Sequence, residues 1–353
     1  MHEITRAAIE AVGPDQPNDW ELRPENHIAA LNDPVAAASL VQRLRGPDLA
    51  PIVQQYVSAN REAIAAQATY KRCARLSALG SLLAVIIASI MLLPRIGGIS
   101  DEAVTIAAVA QFLLLVLSFL ASLWLAWRRP HDTWMRKRAD AELARIHLFR
   151  QVTTANGASQ ATGLPVLPLQ LEYFRRFHLD IQRLYYGERG EQHRRAVRRR
   201  FVWRCIALIL IIAAALPIVW TVQGKDWIPS WVGQWFGHLP PKGELAQRLF
   251  LCLGLIGGAL QGFLAAYALM SYDDRNSARY GETKENLDDL AARPLDEARE
   301  AAAAGDASRV YGFYALVEEQ VSSEHREWTA IRQLVPDLSL DRLRELRLPI
   351  ALR

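Results

Sequence analysis

Six of the eight histidines (His131, His147, His178, His193, His238, His325) and the three cysteines (Cys73, Cys205, Cys252) are the side chains best suited to proton transfer, nucleophilic attack or metal binding. Their spacing supports none of these. The chain has no His-Glu-x-x-His helix, no Gly-rich phosphate loop and no nucleophile elbow. The carboxylate pairs Asp273-Asp274, Asp288-Asp289 and Glu318-Glu319 are adjacent in sequence. On a helix adjacent residues diverge by ~100°, so neither pair member faces the other's site. The expectation is a non-enzyme without cofactor or metal, whose cysteines are small packing residues in a reducing compartment.

The elements that must carry these residues are set by four charge-free apolar runs: Leu76–Pro94, Ala103–Trp127, Cys205–Gly224 and Leu249–Tyr272. Each is close to the ~20 residues that a helix needs to cross a bilayer core. Within hydrocarbon the backbone must bond to itself, so each run is expected to be helical. The fold class that follows is an all-α integral membrane protein, with four transmembrane helices as two hairpins and long cytoplasmic helical extensions. The stretch 1–67 has no apolar core of the secretory kind, so the run at Leu76 reads as the first insertion signal.

Orientation follows from the basic residues. Arg128–Arg204 carries 17 Lys/Arg, whereas the turn after the first run has Arg95 alone and the loop after the third has Lys225 and Lys242. Basic flanks stay cytoplasmic. Both termini and the central segment are expected on the inner side of the cell inner membrane, with two loops outside.

Pro14, Pro17 and Pro24 mark turns in a weakly patterned leader, followed by a short capped helix over 35–44. A helix from Ile52 is expected to run straight into the first span, and the second span to continue past Trp127 with at most a kink at Pro130. A polar linker separates the halves. The basic run His193–Arg200 (Arg194, Arg195, Arg198, Arg199, Arg200) abuts the third span and lacks interleaved aromatics. It reads as a membrane-surface anchor at anionic headgroups, and a nucleic-acid patch is the alternative. The loop holding Trp227, Trp231 and Trp235 reads as an interfacial helix on the outer face, with an aromatic ligand cage as the alternative. Past the fourth span the charge reverses: 273–327 holds 14 Asp/Glu against 7 Lys/Arg. The acidic tail helices are expected to pack across the basic central ones, or else to remain two solvated faces.

Within the spans, Gly254, Gly258 and Gly262 recur every four residues, with Gly257 alongside. Small residues let helices approach closely where lipid supplies no hydrophobic drive, either inside one protomer or at an oligomer interface. Gln111 and Gln261 are amides in hydrocarbon, and each needs a partner helix or a water-filled path. The spans contain no Asp, Glu, Lys or Arg, which disfavours an ion-coupled transporter.

Trp134, Arg138 and Glu142 lie at i, i+4 and i+8, where Arg138 and Glu142 can pair on an exposed helix face. Glu324, Glu327 and Trp328 cluster in the tail. These residues also carry a resemblance. The run Trp134-Met-Arg-Lys-Arg138-Ala-Asp-Ala-Glu142-Leu after a two-span hairpin resembles the SLATT family (SMODS and SLOG-associating two-transmembrane effector domain). The second half resembles another branch, through Ile181-Gln-Arg-Leu-Tyr-Tyr186 before its hairpin and Glu324-His-Arg-Glu-Trp328 after it. The resemblance covers about residues 50–335 as two units in tandem, and departs from the single-hairpin form in that duplication and in the Trp-rich loop.

The resemblance implies an effector of a bacterial conflict or anti-phage system that oligomerises and permeabilises the membrane. Its trigger would come through a separate nucleotide-sensing or nucleotide-synthesising protein, since 1–51 is too short for a sensor. Its partners are then the lipid bilayer and copies of itself, and not nucleic acid. The residues themselves leave open a membrane-anchored scaffold or sensor. The expected organisation is 1–51 leader, 52–155 first helix/hairpin/helix unit, 156–168 linker, 169–335 second unit and 336–353 tail.

Overall fold

A computed structural model describes residues 2–16, 19–91, 100–154, 163–223 and 244–334, with side chains described to 215 and again from 248 to 322. The described residues are all-α. The helices are α1 (Glu3–Val12), α2 (Pro24–Ala30), α3 (Ala38–Leu44), α4 (Leu49–Met91), α5 (Asp101–Arg128), α6 (Pro130–Thr154), α7 (Val166–Phe174), α8 (Ile181–Gln223), α9 (Glu244–Ser271), α10 (Asp273–Leu290), α11 (Arg293–Ala303) and α12 (Ala307–Leu334). A π-helical turn, Arg175–Asp180, joins α7 to α8. Among the described residues three helical stretches are long and apolar enough to cross a membrane: α4, α5 and the apolar part of Arg248–Ala303, which is α9. They make the chain a multi-pass membrane protein by length and composition. The third apolar run enters α8, and its end lies outside the described side chains, as do the turn at Arg95, most of the linker, the Trp-rich loop and the tail past 334.

The chain folds into two compact units that interleave along the sequence. The first comprises Met1–Arg61, Met135–Gly187 and Arg279–Arg353; the second comprises Glu62–Trp134 and Glu188–Ala278.

The first unit has a single hydrophobic core. At its centre is α7, in which every residue from Pro168 to Phe174 is buried. A helix buried on every face must be surrounded, and α1, α11 and α12 pack around it. The leader is therefore not an irregular appendage. α1 is amphipathic and buries Ala8, Ala11 and Val12. It stops at Gly13, whose φ of +81° is cheap only for glycine, and whose N–H bonds the Ile9 carbonyl at 2.8 Å. The turn before α3 is closed by Asp33, whose Oδ1 accepts from the N–H groups of Val35 and Ala36.

The acidic tail and the basic centre meet within this unit. Arg183 pairs with Asp288 and Arg150 with Glu318. The third link has the reverse polarity: Arg299 of the tail donates to Glu172 of α7. The tail comprises three helices, α10 to α12.

In the second unit α4 meets α5 along a seam of small polar residues. Ser77 Oγ meets Ser122 Oγ at 2.6 Å, and Ser81 Oγ meets Ser118 Oγ at 2.7 Å. Ser118 also donates to the Ser77 carbonyl at 2.7 Å. A Cβ on Gly80 would lie 3.2 Å from the Leu114 carbonyl, so glycine sets the closeness of this crossing. α9 joins α4 where Cys252 Sγ bonds the Ser89 carbonyl.

α5 does not run on into α6. It ends at Arg128, Arg129 takes a left-handed conformation (φ 44°, ψ 51°), and Pro130 opens α6. The break exceeds a proline kink because proline disfavours the right-handed helical region in the residue before it.

Candidate functional site

The α8–α9 crossing brings together the glycines and one amide, along a different face from the i, i+4 glycine stripe. A Cβ on Gly254 would lie 3.1 Å from Ala214 Cβ, and one on Gly257 would lie 2.9 Å from Ile211 and 3.0 Å from the Ala207 carbonyl. Gln261 donates to the Arg204 carbonyl at 3.0 Å, and Leu264 is buried. The packed face is thus 254/257/261/264, the i, i+3, i+7 pattern of a helix contact. Gly258 and Gly262 lie off it and, among the described residues, meet nothing within 4 Å. Among the described residues, half-buried Gln111 has no hydrogen-bond partner.

The basic run before the third apolar segment divides in two. Arg194 and Arg195 are exposed and pair with Glu191 on their own helix; Arg198 and Arg199 are also exposed. Arg200 turns inward, donating to Asp273 Oδ2 at 2.6 Å and to Ser271 Oγ at 3.1 Å. His193 Nδ1 lies 2.6 Å from the other Asp273 oxygen. Burial alone would raise the Asp273 carboxyl, but the bonds from His193 and Ser271 and the charge of Arg200 hold it below the usual carboxylate range. This latch ties α8 to the point where α9 gives way to α10.

Next to it an aromatic cluster surrounds His131. Its ring lies 5.2 Å from that of Tyr70, 5.6 Å from Trp134 and 5.9 Å from Tyr272. Burial pushes the Tyr70 hydroxyl up to about 12 and lowers the His131 imidazole despite neighbouring Asp132. Trp134 thus serves as a ring in this cluster. Arg138 and Glu142 do pair, at 2.7 Å, but not on an exposed face: Glu142 is largely buried, also meets Arg145, and Arg138 lies over the Tyr185 ring. The backbone of Glu324 and Trp328 lies in α12, and their side chains are outside the described residues.

In the first unit the π-helical turn positions a fully buried ion pair. Arg176 is fully buried and grips Asp19 through two bonds of 2.8 and 3.1 Å, while Nη1 donates to the carbonyls of Val12 and Ala30. One guanidinium thereby ties the ends of α1 and α2 to the central helix. Two residues on, His178 is fully buried against Phe149 and Phe174 with neither ring nitrogen bonded. Burial, reinforced by the nearby Arg145 charge, lowers its pKa well below the ordinary value. His27 bonds the Tyr173 hydroxyl at 2.8 Å, and burial lowers it to about 4.

A cleft of about 510 Å³ is lined by Glu10, Asp15, Asn32, Arg175 and Arg299. Both arginines are already held, Arg175 by Glu172 and Asp180 and Arg299 by Glu172 and Asp296. The lining is balanced in charge and offers no anion cradle. Among the described residues no group of three His, Cys, Asp or Glu side chains could hold a metal ion.

The serine seam was open to sequence reading: Ser77/Ser81 and Ser118/Ser122 are i, i+4 pairs in consecutive apolar runs. The His193–Asp273 and Arg176–Asp19 contacts join residues too far apart in sequence for spacing to reveal them.

Comparison with known proteins adds one finding. Residues 55–156, from within α4 to just past α6, match the family model described as "Protein of unknown function (DUF4231)". No curated protein and no solved structure matches the chain.

Proposed function

We propose that this chain is an inner-membrane effector with four spans in two hairpins, which assembles with copies of itself and permeabilises the bilayer when a nucleotide-sensing partner triggers it, in a bacterial conflict or anti-phage setting. The observation that carries the reading is the set of membrane-depth groups that the packing of one protomer leaves unused. Among the described residues nothing lies within 4 Å of a Cβ on Gly258 or Gly262, and Gln111 has no partner. In hydrocarbon an unused amide is costly and an open glycine face invites a neighbouring helix. The SLATT resemblance supports the same reading, as does a first unit large enough to receive a regulatory signal. Both termini and the central segment lie on the cytoplasmic side in this account.

Uptake of a membrane-impermeant dye on induced expression tests it. The expected result is uptake once the inserted chain is triggered through its partner system. An inserted chain that leaves the membrane tight with the partner system present would contradict it. The second reading, a membrane-anchored scaffold or sensor, is favoured by one observation. The first unit has its own closed core, tied by buried Arg176 and Asp19. That reading expects partner capture by the first unit without leakage.

A further inference from the structure

Among the described residues only two that are not glycine have positive φ, and both follow directly on an apolar helix: Arg129 after α5 (φ 44°) and Tyr272 after α9 (φ 53°). The two joints share one bonding pattern. Each residue's N–H closes the membrane helix, Arg129 on the Leu125 carbonyl at 3.1 Å and Tyr272 on the Ala268 carbonyl at 3.2 Å. Each residue's carbonyl opens the next helix, accepting from Thr133 N–H at 3.3 Å and from Asn276 N–H at 2.8 Å. A left-handed helix stop normally uses glycine or asparagine; a bulky side chain there is strained.

What holds the two bends differs. Arg129 precedes Pro130, which disfavours the right-handed helical region at that position, so the first bend is written into the local sequence. Tyr272 precedes Asp273, and nothing local prevents α9 and α10 from joining into one straight helix. The second bend is held by side chains from elsewhere. The Tyr272 ring packs on His131, two residues past the first bend, and Asp273 is held by His193 and Arg200 of α8.

We propose that Tyr272 is a conditional hinge. The fixed first bend and the Asp273 latch keep it bent, and releasing either lets α9 and α10 straighten into one helix. Release would swing the start of α10 relative to the membrane helix that bears the open Gly258/Gly262 face. The hinge is thus a route by which a cytoplasmic event could reach that face. The inference deepens the effector reading and rests on it for its purpose, but not for its test.

The test is hydrogen exchange of the full chain in lipid nanodiscs, read at the amides of 273–275. In the bent form these lie at the open start of α10, without helical carbonyl partners; straightening supplies them. Tyr272→Ala removes the ring contact and keeps the left-handed penalty. His131→Ala removes the contact from the other side. Each is expected to slow exchange at 273–275 by about tenfold, while amides of 169–179 in the first unit keep wild-type protection and report that the chain is folded. Tyr272→Gly also lacks the ring but bears no left-handed penalty, and is expected to stay bent with no slowing. No slowing in either alanine variant, or equal slowing in Tyr272→Gly, overturns the proposal. Because exchange needs only an inserted chain, its failure is distinct from failure of the leakage assay.

Discussion

The two units solve opposite solvation problems with the same helices. In the first, large apolar side chains such as Leu169, Phe174 and Phe177 are inside. In the second they are outside: Phe112, Phe119 and Ile209 are each more than 60% exposed, while Ala84, Ser118 and Ala207 are buried. A surface of this kind is stable only where the solvent is hydrocarbon. The first unit gains its stability by removing apolar area from water, at roughly 25 cal/mol per Å². The second cannot, because lipid is as apolar as leucine, so close approach and small hydrogen bonds must hold it. Perturbations should therefore hit the first unit hard through buried charge, and the second through volume.

The largest expected effect is Arg176→Ala. Asp19 would be left buried and uncompensated, at a cost of about 3–5 kcal/mol to the first unit. Thermal unfolding of the detergent-purified chain should show it. A loss under about 1 kcal/mol would mean that water reaches Asp19 and that the core is not closed there.

Acid should act on the same unit. His27 is held neutral, with a pKa near 4 against 6.5 in an unconstrained chain. Between those values the unfolded state binds the extra proton, so stability falls as pH drops from 6.5 toward 4, by up to about 3 kcal/mol for this residue. His178 contributes with the same sign. His27→Gln should flatten the acid limb of a stability–pH curve, and an unchanged curve would remove His27 from the account.

In the second unit, Gly257→Leu should cost about 1–3 kcal/mol, because its side chain meets the Ala207 carbonyl, which cannot turn aside. Ser118→Ala should cost only about 0.6 kcal/mol, typical of a hydrogen bond between membrane helices. A reversed order would mean that the polar seam, and not close approach, holds this unit.

Much of this contrast was legible in the sequence. The apolar runs place α4, α5 and α9, because a charge-free stretch of that length has one stable use in a bilayer. The helix expected over 35–44 ends where α3 does, at Leu44. Other features were not legible, for identifiable reasons. α1 is a short amphipathic stretch next to the prolines at 14 and 17, which by themselves signal turns. Pro130 breaks the chain at Arg129 beyond a kink, because proline also restricts the residue before it. The face that α9 packs on α8, 254/257/261/264, differs from the 254/258/262 stripe, because an exact four-residue repeat drifts around a helix of 3.6 residues per turn. The interleaving of the units, with 1–61 packed among residues of the centre and the tail, depends on long-range burial that no local pattern encodes.

That α9 face yields the most direct test. Gly257 and Gly258 are neighbours, but among the described residues a side chain would meet its own protomer at Gly257 and not at Gly258. Gly258→Leu therefore leaves the protomer's packing as it is and blocks only what approaches from outside. Ion leakage from cells that carry the triggered partner system and produce equal inserted amounts of wild type and Gly258→Leu measures the difference. The account predicts leakage from the wild type and its loss in the variant, with thermal stability unchanged. Equal leakage from both would contradict assembly through this face.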